Sequence, residues 1–174
     1  MPAGVLTVNL LNRASRDEFE GALGGIFERS PWVAARAIEA RPFAGVEALH
    51  AAMVTVVRGA SREEQLALLR AHPDLAGRAA RAGALTDESS AEQSSVGLDR
   101  LDDEEYERFG RLNASYREKF DFPFIIAVRR HDKTSILAAF ETRLGNTAAE
   151  ELETALAQVF EIARIRLIGL IPER

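Results

Sequence analysis

Three histidines are the side chains in this sequence best suited to move a proton near neutral pH. His72 differs from the other two, because a helical run with one apolar face precedes it and Pro73 follows it, in the stretch LLRAHPDLAG. A general acid or base needs such fixed placement. The alternative is structural, since a histidine stabilises the last turn of a helix and proline commonly follows a helix end. His50, in an apolar helical pattern, and His131, in the charged stretch RRHDK, are weaker candidates.

A second candidate is the polar stretch TDESSAEQSSVGL, residues 86–98. On a helix, Ser89, Glu92 and Gln93 would share one face, because they stand at positions i, i+3 and i+4. That face would offer a hydroxyl, a carboxylate and a carboxamide to a small ligand rich in amide and urea groups. A glutamate can also orient an imidazole. The alternative is a polar helix whose face is simply solvated.

The third candidate is FPFII, residues 122–126, within the stretch FDFPFIIAVRR. Pro123 disfavours helix at the residue before it, and the β-branched residues after it favour an extended chain. Hydrophobic packing is one reason for such a segment. A second is recognition, because its N–H and C=O groups lack helical partners and could pair with a heterocycle.

Helical periodicity and helix-capping residues indicate the elements that would position these side chains. We expect one compact all-α domain over residues 1–174, with about eight helices and one short extended connector around 121–128. The predicted helices are 15–30, 32–41, 46–59, 61–72, 74–83, 87–98, 102–120 and 147–170. Thr86 is predicted to cap the sixth of these, and capping pairs are predicted for Ser15 with Glu18, Ser61 with Glu64 and Thr147 with Glu150. The apolar stripe predicted for helix 46–59 consists of Val46, Leu49, Met53, Val56 and Val57.

Composition narrows the function classes. A net charge of −5 argues against nucleic acid or an anionic membrane as the main partner. The absence of cysteine excludes disulfides and thiolate catalysis, and the scattered histidines do not have metal-ligand spacing, so no metal site is predicted. No apolar run approaches the roughly 20 residues of a membrane span, and no signal peptide is recognisable, so we expect a cytoplasmic protein.

Four motifs occur in a characteristic order: HPDLAG, then SxxEQ beginning 17 residues after the histidine, then FPFII, and finally RLGNTAAEELETALAQVFEIARIRL. In this order they resemble the 2-oxo-4-hydroxy-4-carboxy-5-ureidoimidazoline (OHCU) decarboxylase family. The resemblance covers nearly the whole chain. It implies an all-α fold, often as a homodimer, that needs no cofactor. The implied reaction converts an unstable intermediate of urate breakdown to (S)-allantoin.

The resemblance also implies roles for individual residues. His72 is expected to be the catalytic histidine and Glu92 its catalytic partner, which orients it. The main chain of FPFII is expected to hold the ligand, and Arg143 to contact its carboxylate or ureido oxygen. The predicted substrate-binding residues are Pro73, Ser89, Gln93, Phe122, Pro123, Phe124, Ile125, Ile126 and Arg143.

Two other function classes remain open at this point. An all-α adaptor or regulatory domain would use His72 as a helix cap and would display an apolar groove for a partner protein. A metal-dependent hydrolase of a ureido compound would need a cluster of ligands that the sequence does not display. A small-molecule assay separates the first from an enzyme, and sensitivity to chelators separates the second.

Overall fold

The computed structural model describes residues 4–172, which form helices and connecting segments without a β-strand. This confirms the predicted all-α fold. The helices are α1 (Val8–Arg13), α2 (Arg16–Leu23), α3 (Trp32–Ala37), α4 (Val46–Gly59), α5 (Arg62–Arg70), α6 (Arg78–Arg81), α7 (Asp87–Ser95), α8 (Asp103–Phe120), α9 (Lys133–Leu144) and α10 (Ala148–Leu170). Short 3-10 helices cover Ile38–Ala40 and Val128–Arg130. None of the helices within residues 4–172 combines the length and hydropathy that crossing a bilayer requires.

The chain divides into two compact units. The first contains the residues up to Leu68 together with those from Phe160 onward. In it, α3 packs against α2 and α4, and Phe19 stacks on Phe43 with ring centroids 6.2 Å apart. Of the stripe predicted for α4, Val56 is only half-buried and the other four residues are buried: Val46, Leu49, Met53 and Val57.

The second unit, Leu69–Val159, contains most of the predicted site residues and an aromatic core. The Tyr116 ring lies at its centre, with the ring centroids of four phenylalanines 4.7 to 6.4 Å away. Two of these rings belong to the FPFII segment, so packing fixes the side chains of that segment. The four are Phe120, Phe122, Phe124 and Phe140. A single domain over residues 1–174 stays a prediction.

The predicted capping pairs form, but several predicted helices have different ends. Helix α2 begins at its Ser15 cap and ends at Leu23 instead of continuing to residue 30. Consecutive glycines follow at positions 24 and 25, and glycine is among the poorest helix formers. Two helices were missed, α1 and α9. The Asp132 cap of α9 pairs with Ser135 rather than with the Glu or Gln typical of a capping box.

The extended connector is confirmed. Helix α8 ends where Asp121 takes a left-handed conformation, with φ of 61°, while its N–H donates to the carbonyl of Arg117. Residues 121–127 are then neither helix nor strand, up to the 3-10 helix that begins at Val128.

Candidate active site

His72 lies in the turn that follows α5, because this helix ends at Arg70 and not at His72 as predicted. Its N–H donates to the carbonyl of Leu69 at 3.2 Å, and the residue is only 7% exposed. The next residues turn sharply. Ala76 takes a φ of 53°, and a Cβ added at Gly77 would lie 3.1 Å from the Cβ of Asp74. Residues 73–77, which we call the histidine loop, therefore have a tightly restricted backbone.

Two buried amide side chains hold the main chain of the histidine loop. Gln93 accepts from the N–H of Ala76 at 2.9 Å and donates to the carbonyl of Asp74 at 3.2 Å. Asn113 donates to the carbonyl of Leu75 at 2.9 Å. The loop thus has hydrogen-bonding partners on both α7 and α8, and these fix the backbone that follows His72.

A third contact lies at the surface, where Arg117 Nε donates to Asp74 Oδ1 at 2.9 Å. Beside it is an open groove of about 670 Å³ between the histidine loop and α8. Pro73 is the only predicted site residue that lines this groove within residues 4–172. His72 itself does not line this groove.

Helix α7 does not present a solvated face at the predicted residues. Thr86 caps it by accepting from the N–H of Ser89, as predicted. Ser89 and Gln93 are 6% and 3% exposed, and Glu92 is half-buried. The helix also packs against the 3-10 helix Val128–Arg130, which directly follows FPFII. Thus α7 connects the histidine loop with the end of the extended connector.

The FPFII segment is buried throughout, and two side chains hold the main chain at its C-terminal end, at Ile125 and at the next residue after the segment, Ala127. Arg143 Nη1 donates to the carbonyl of Ile125 at 2.6 Å. Gln158 Oε1 accepts from the N–H of Ala127 at 3.0 Å. The Arg143 guanidinium also lies 4.3 Å from the centroid of the Phe124 ring, a cation–π distance.

Arg143 is buried, and Glu151 balances its charge. Arg143 Nε donates to Glu151 Oε1 at 2.7 Å. Its Nη2 lies 2.5 Å from the same oxygen, within ion-pair distance but outside hydrogen-bond geometry. Glu151, at 0% exposure, also accepts from Tyr116 at 2.5 Å and from Asn146 at 2.9 Å. This buried pair thus has the additional hydrogen bonds that a charge away from water requires.

Tyr116 donates its hydroxyl proton to this network at any physiological pH. Burial, and after it the hydrogen bond to Glu151, raise the pKa of Tyr116 well above its usual value. A neutral phenol suits the position beside a carboxylate, because the hydroxyl stabilises Glu151 only while it has a proton to donate.

The supporting residues Asn113, Glu151 and Gln158 were not among the predicted site residues. The sequence carries a signal for the first of them. Asn113 lies on the same face of α8 as Phe109 and Tyr116, at i+4 and i−3, so a polar amide interrupts an apolar stripe. A buried polar side chain in such a stripe needs hydrogen-bonding partners, and here it bonds to the histidine loop.

Comparison with known proteins decides the family. The family model described as OHCU decarboxylase matches residues 12–168. The chain belongs to the OHCU decarboxylase family. This confirms the predicted family, and with it the predicted class of enzyme, a carboxy-lyase.

Two members of the family resemble this chain over nearly its whole length. A 2-oxo-4-hydroxy-4-carboxy-5-ureidoimidazoline decarboxylase of Haloferax volcanii is 49% identical over 93% of this chain and 94% of its own. One of Halalkalicoccus jeotgali is 46% identical over 97% of this chain and 94% of its own. A crystal structure of (S)-allantoin synthase superposes with a TM-score of 0.73 at 35% identity. That match covers 95% of this chain and about half, 54%, of the solved one.

No metal centre is evident in the described part of the chain. Within residues 4–172, no three His, Asp or Glu side chains are grouped so that they could hold a metal ion.

Proposed function

We propose that this protein decarboxylates 2-oxo-4-hydroxy-4-carboxy-5-ureidoimidazoline to (S)-allantoin without a cofactor. The observation that carries this proposal is the match to the OHCU decarboxylase family across residues 12–168. Relatives that carry this activity in their names, at 46% and 49% identity, support it. The name of the solved relative, (S)-allantoin synthase, supports the product.

The chemistry needs little more than a positioned acid–base group. When the carbon–carboxylate bond breaks, CO₂ leaves and the bonding electrons pass to the neighbouring C=N of the ring, so no pyridoxal or thiamine is required. The ring nitrogen that receives these electrons takes up a proton. The ring hydroxyl loses its proton and becomes a carbonyl, and a further proton adds to a single face of the neighbouring ring carbon. The protein must therefore hold the ring and control these protons.

We assign the proton transfer to His72, with Glu92 as the residue that orients it. Imidazole exchanges protons near neutral pH, and a general acid–base group must be held within reach of its substrate. The burial of His72 and the hydrogen bonds that fix the histidine loop support this role. Glu92 lies on α7, which also supplies Gln93 to that loop.

Ser89, Gln93, Pro73 and the main chain of residues 122–126 are proposed to bind the ring. Gln93 can do so while it holds the histidine loop, because its amide has a second N–H and a second lone pair. Arg143, the other predicted substrate contact, lies against Ile125, Glu151 and the Phe124 ring.

A homodimer in the cytoplasm is part of the proposal. The family resemblance supports the dimer. Analytical ultracentrifugation at micromolar concentration would give the mass, and a monomer would contradict the proposed dimer.

The direct test is to generate the unstable substrate in situ from urate and to follow allantoin by circular dichroism. With the protein present, we expect a fast rise of the (S)-allantoin signal. Without it, protonation occurs on either face and the product has little optical activity. A protein that leaves both the rate and the optical signal unchanged would favour the adaptor alternative.

Two further measurements sharpen this test. Activity that is lost after exhaustive dialysis against EDTA and restored by one divalent metal would favour the metal-dependent hydrolase. A Glu92→Gln variant should lose kcat, and its pH–rate profile should move to lower pH, because removing a carboxylate beside an imidazole disfavours the imidazolium. An unchanged profile would remove Glu92 from the proposed catalytic pair.

A further inference from the structure

The two peptide groups on either side of Ile126 are each held at one end. Both peptide bonds are trans, and in a trans peptide the C=O and N–H point in opposite directions. Arg143 binds the carbonyl of the 125–126 peptide, so the N–H of Ile126 points away from Arg143. Gln158 binds the N–H of the 126–127 peptide, so the carbonyl of Ile126 points away from Gln158.

The two groups of Ile126 that point away have no hydrogen-bonding partner within residues 4–172. Ile126 is only 5% exposed. Buried main-chain groups are almost always paired, so this N–H and this C=O call for a ligand. The neighbouring carbonyl of Ile125 is bound by Arg143, and the neighbouring N–H of Ala127 is bound by Gln158.

The arrangement specifies the chemistry of that ligand. In an extended chain, the N–H and C=O of one residue point to the same side, as they do in a hydrogen-bonded pair of antiparallel strands. Their complement is an edge on which a C=O stands beside an N–H. A cyclic amide or a urea has such an edge.

We propose that Arg143 and Gln158 are positioning residues that aim the N–H and C=O of Ile126 at the amide edge of the substrate ring. This inference rests on the proposed function and extends it. It assigns to Arg143 and Gln158 the orientation of the main chain that binds the substrate, rather than direct contact with the substrate. For Arg143 it replaces the role of carboxylate ligand. Its Nε and Nη1 already donate to the protein, and Nη2 is buried beside Glu151.

The buried network around Glu151 belongs to this arrangement. Glu151 accepts from Nε of Arg143 and so fixes the orientation of the guanidinium group. Without this hydrogen bond, the guanidinium could turn toward other acceptors. Tyr116 and Asn146 in turn hold the two carboxylate oxygens. The direction of one main-chain N–H therefore depends on side chains from α8, α9 and α10, together with the turn between α9 and α10.

The decisive experiment compares Gln158→Met with Gln158→Glu. Methionine has similar length but accepts no strong hydrogen bond, whereas glutamate keeps an acceptor oxygen for the N–H of Ala127. Gln158 is half-buried, so both variants are expected to fold. We expect Gln158→Met to raise KM about tenfold with a smaller change in kcat, and to lower the optical purity of the allantoin formed. Gln158→Glu should restore both.

Arg143→Lys tests the other peptide. Lysine keeps the charge but cannot bind Ile125 and Glu151 together, because it lacks the planar fork. We expect a larger rise in KM than for Gln158→Met and a similar loss of optical purity. Glu141→Gln, an exposed change on the same helix α9, serves as the control for a substitution that leaves the buried network intact. If Arg143→Lys does not fold, the comparison of Gln158→Met with Gln158→Glu tests the inference by itself.

Wild-type KM and optical purity in Gln158→Met would overturn the inference. Binding of (S)-allantoin, measured by calorimetry, separates this outcome from failure of the proposed function. An inactive wild-type protein would refute the proposed function. A lower affinity of Gln158→Met for (S)-allantoin would still support the inference, and equal affinity, or no binding to either protein, would refute it.

Discussion

The histidine loop and the FPFII segment are both irregular, and both carry predicted site residues, but different forces hold them. Neutral amides of Gln93 and Asn113 hold the histidine loop, with one surface ion pair from Arg117 to Asp74. The FPFII segment depends instead mainly on the buried charges of Arg143 and Glu151, with the neutral amide of Gln158 holding the peptide at its end.

This difference predicts two kinds of failure. A neutral hydrogen bond contributes about 0.5–1.5 kcal/mol net, so loss of one amide should loosen the histidine loop by degrees. A buried charge that loses its partner lowers the free energy of unfolding by about 3–5 kcal/mol. Loss of Arg143 or Glu151 should therefore destabilise the whole second unit together with the FPFII segment.

His72→Asn should fold normally and lose activity by about 10²–10⁴-fold, the usual contribution of a positioned acid–base group. Asparagine keeps a polar side chain of moderate size but cannot take up a proton near pH 7. Turnover of the in situ substrate gives the activity, and urea unfolding gives the stability. A variant that keeps its specific activity but unfolds more easily would make His72 a helix cap.

Glu151→Gln should destabilise the protein by about 3–5 kcal/mol, because it leaves the Arg143 guanidinium buried without a counter-charge. Urea unfolding followed by circular dichroism measures the change. Glu150→Gln, next to it on α10 but exposed, is the matched control and should cost less than about 1 kcal/mol. Similar costs for the two variants would mean that the buried pair is not what stabilises the FPFII segment.

Sequence reasoning found the local features of this molecule and missed the long-range ones. The Thr86 cap, the stripe of α4 and the connector after Asp121 follow from neighbours within a few residues, so pattern and capping rules detect them. The contact between Arg143 and Ile125 spans 18 residues of chain, and no rule of local spacing predicts it. Short α1 was missed because six residues show too little periodicity.

The same limit applies to the candidate site. Ser89 and Gln93 were recognised as one face of a helix, but their burial depends on what packs over α7. That packing comes from residues 128–130 and from the histidine loop, which are distant in sequence. The roles of His72 and Glu92 stay predictions, which the activity measurements test.

Asn113→Leu should cost about 1–3 kcal/mol, because it keeps the size of the side chain but leaves the carbonyl of Leu75 buried without a donor. The histidine loop should become looser, so activity should fall about tenfold, mainly in kcat. Faster amide hydrogen exchange at residues 74–77 would show the loosening directly. Unaltered exchange and kcat would mean that Gln93 alone holds the loop.

Tyr116→Phe should change how stability depends on pH. In wild type, the pKa of Tyr116 is raised in the folded state, so the unfolded chain releases this proton first as the pH rises through about 10. The contribution of Tyr116 to the free energy of unfolding is therefore fully present below that pH. Above it, the contribution falls by about 1.4 kcal/mol per pH unit. Urea titrations at pH 9 and 11 should show a smaller loss in Tyr116→Phe than in wild type. Equal losses would contradict a phenol kept neutral by burial.

Arg117→Ala should have the smallest effect. The pair that it forms with Asp74 is 46% exposed on the arginine side and 31% on the aspartate side, and such pairs contribute about 0–1 kcal/mol. Salt screens exposed charges, so the small difference in stability between Arg117→Ala and wild type should shrink as NaCl is raised. A range of about 0.05 to 0.5 M NaCl changes the screening length roughly threefold. The Glu151→Gln effect should stay nearly constant over that range, because a buried pair is screened much less. Two variants with the same dependence on salt would remove the distinction between a loop held mainly by neutral amides and a segment held by buried charge.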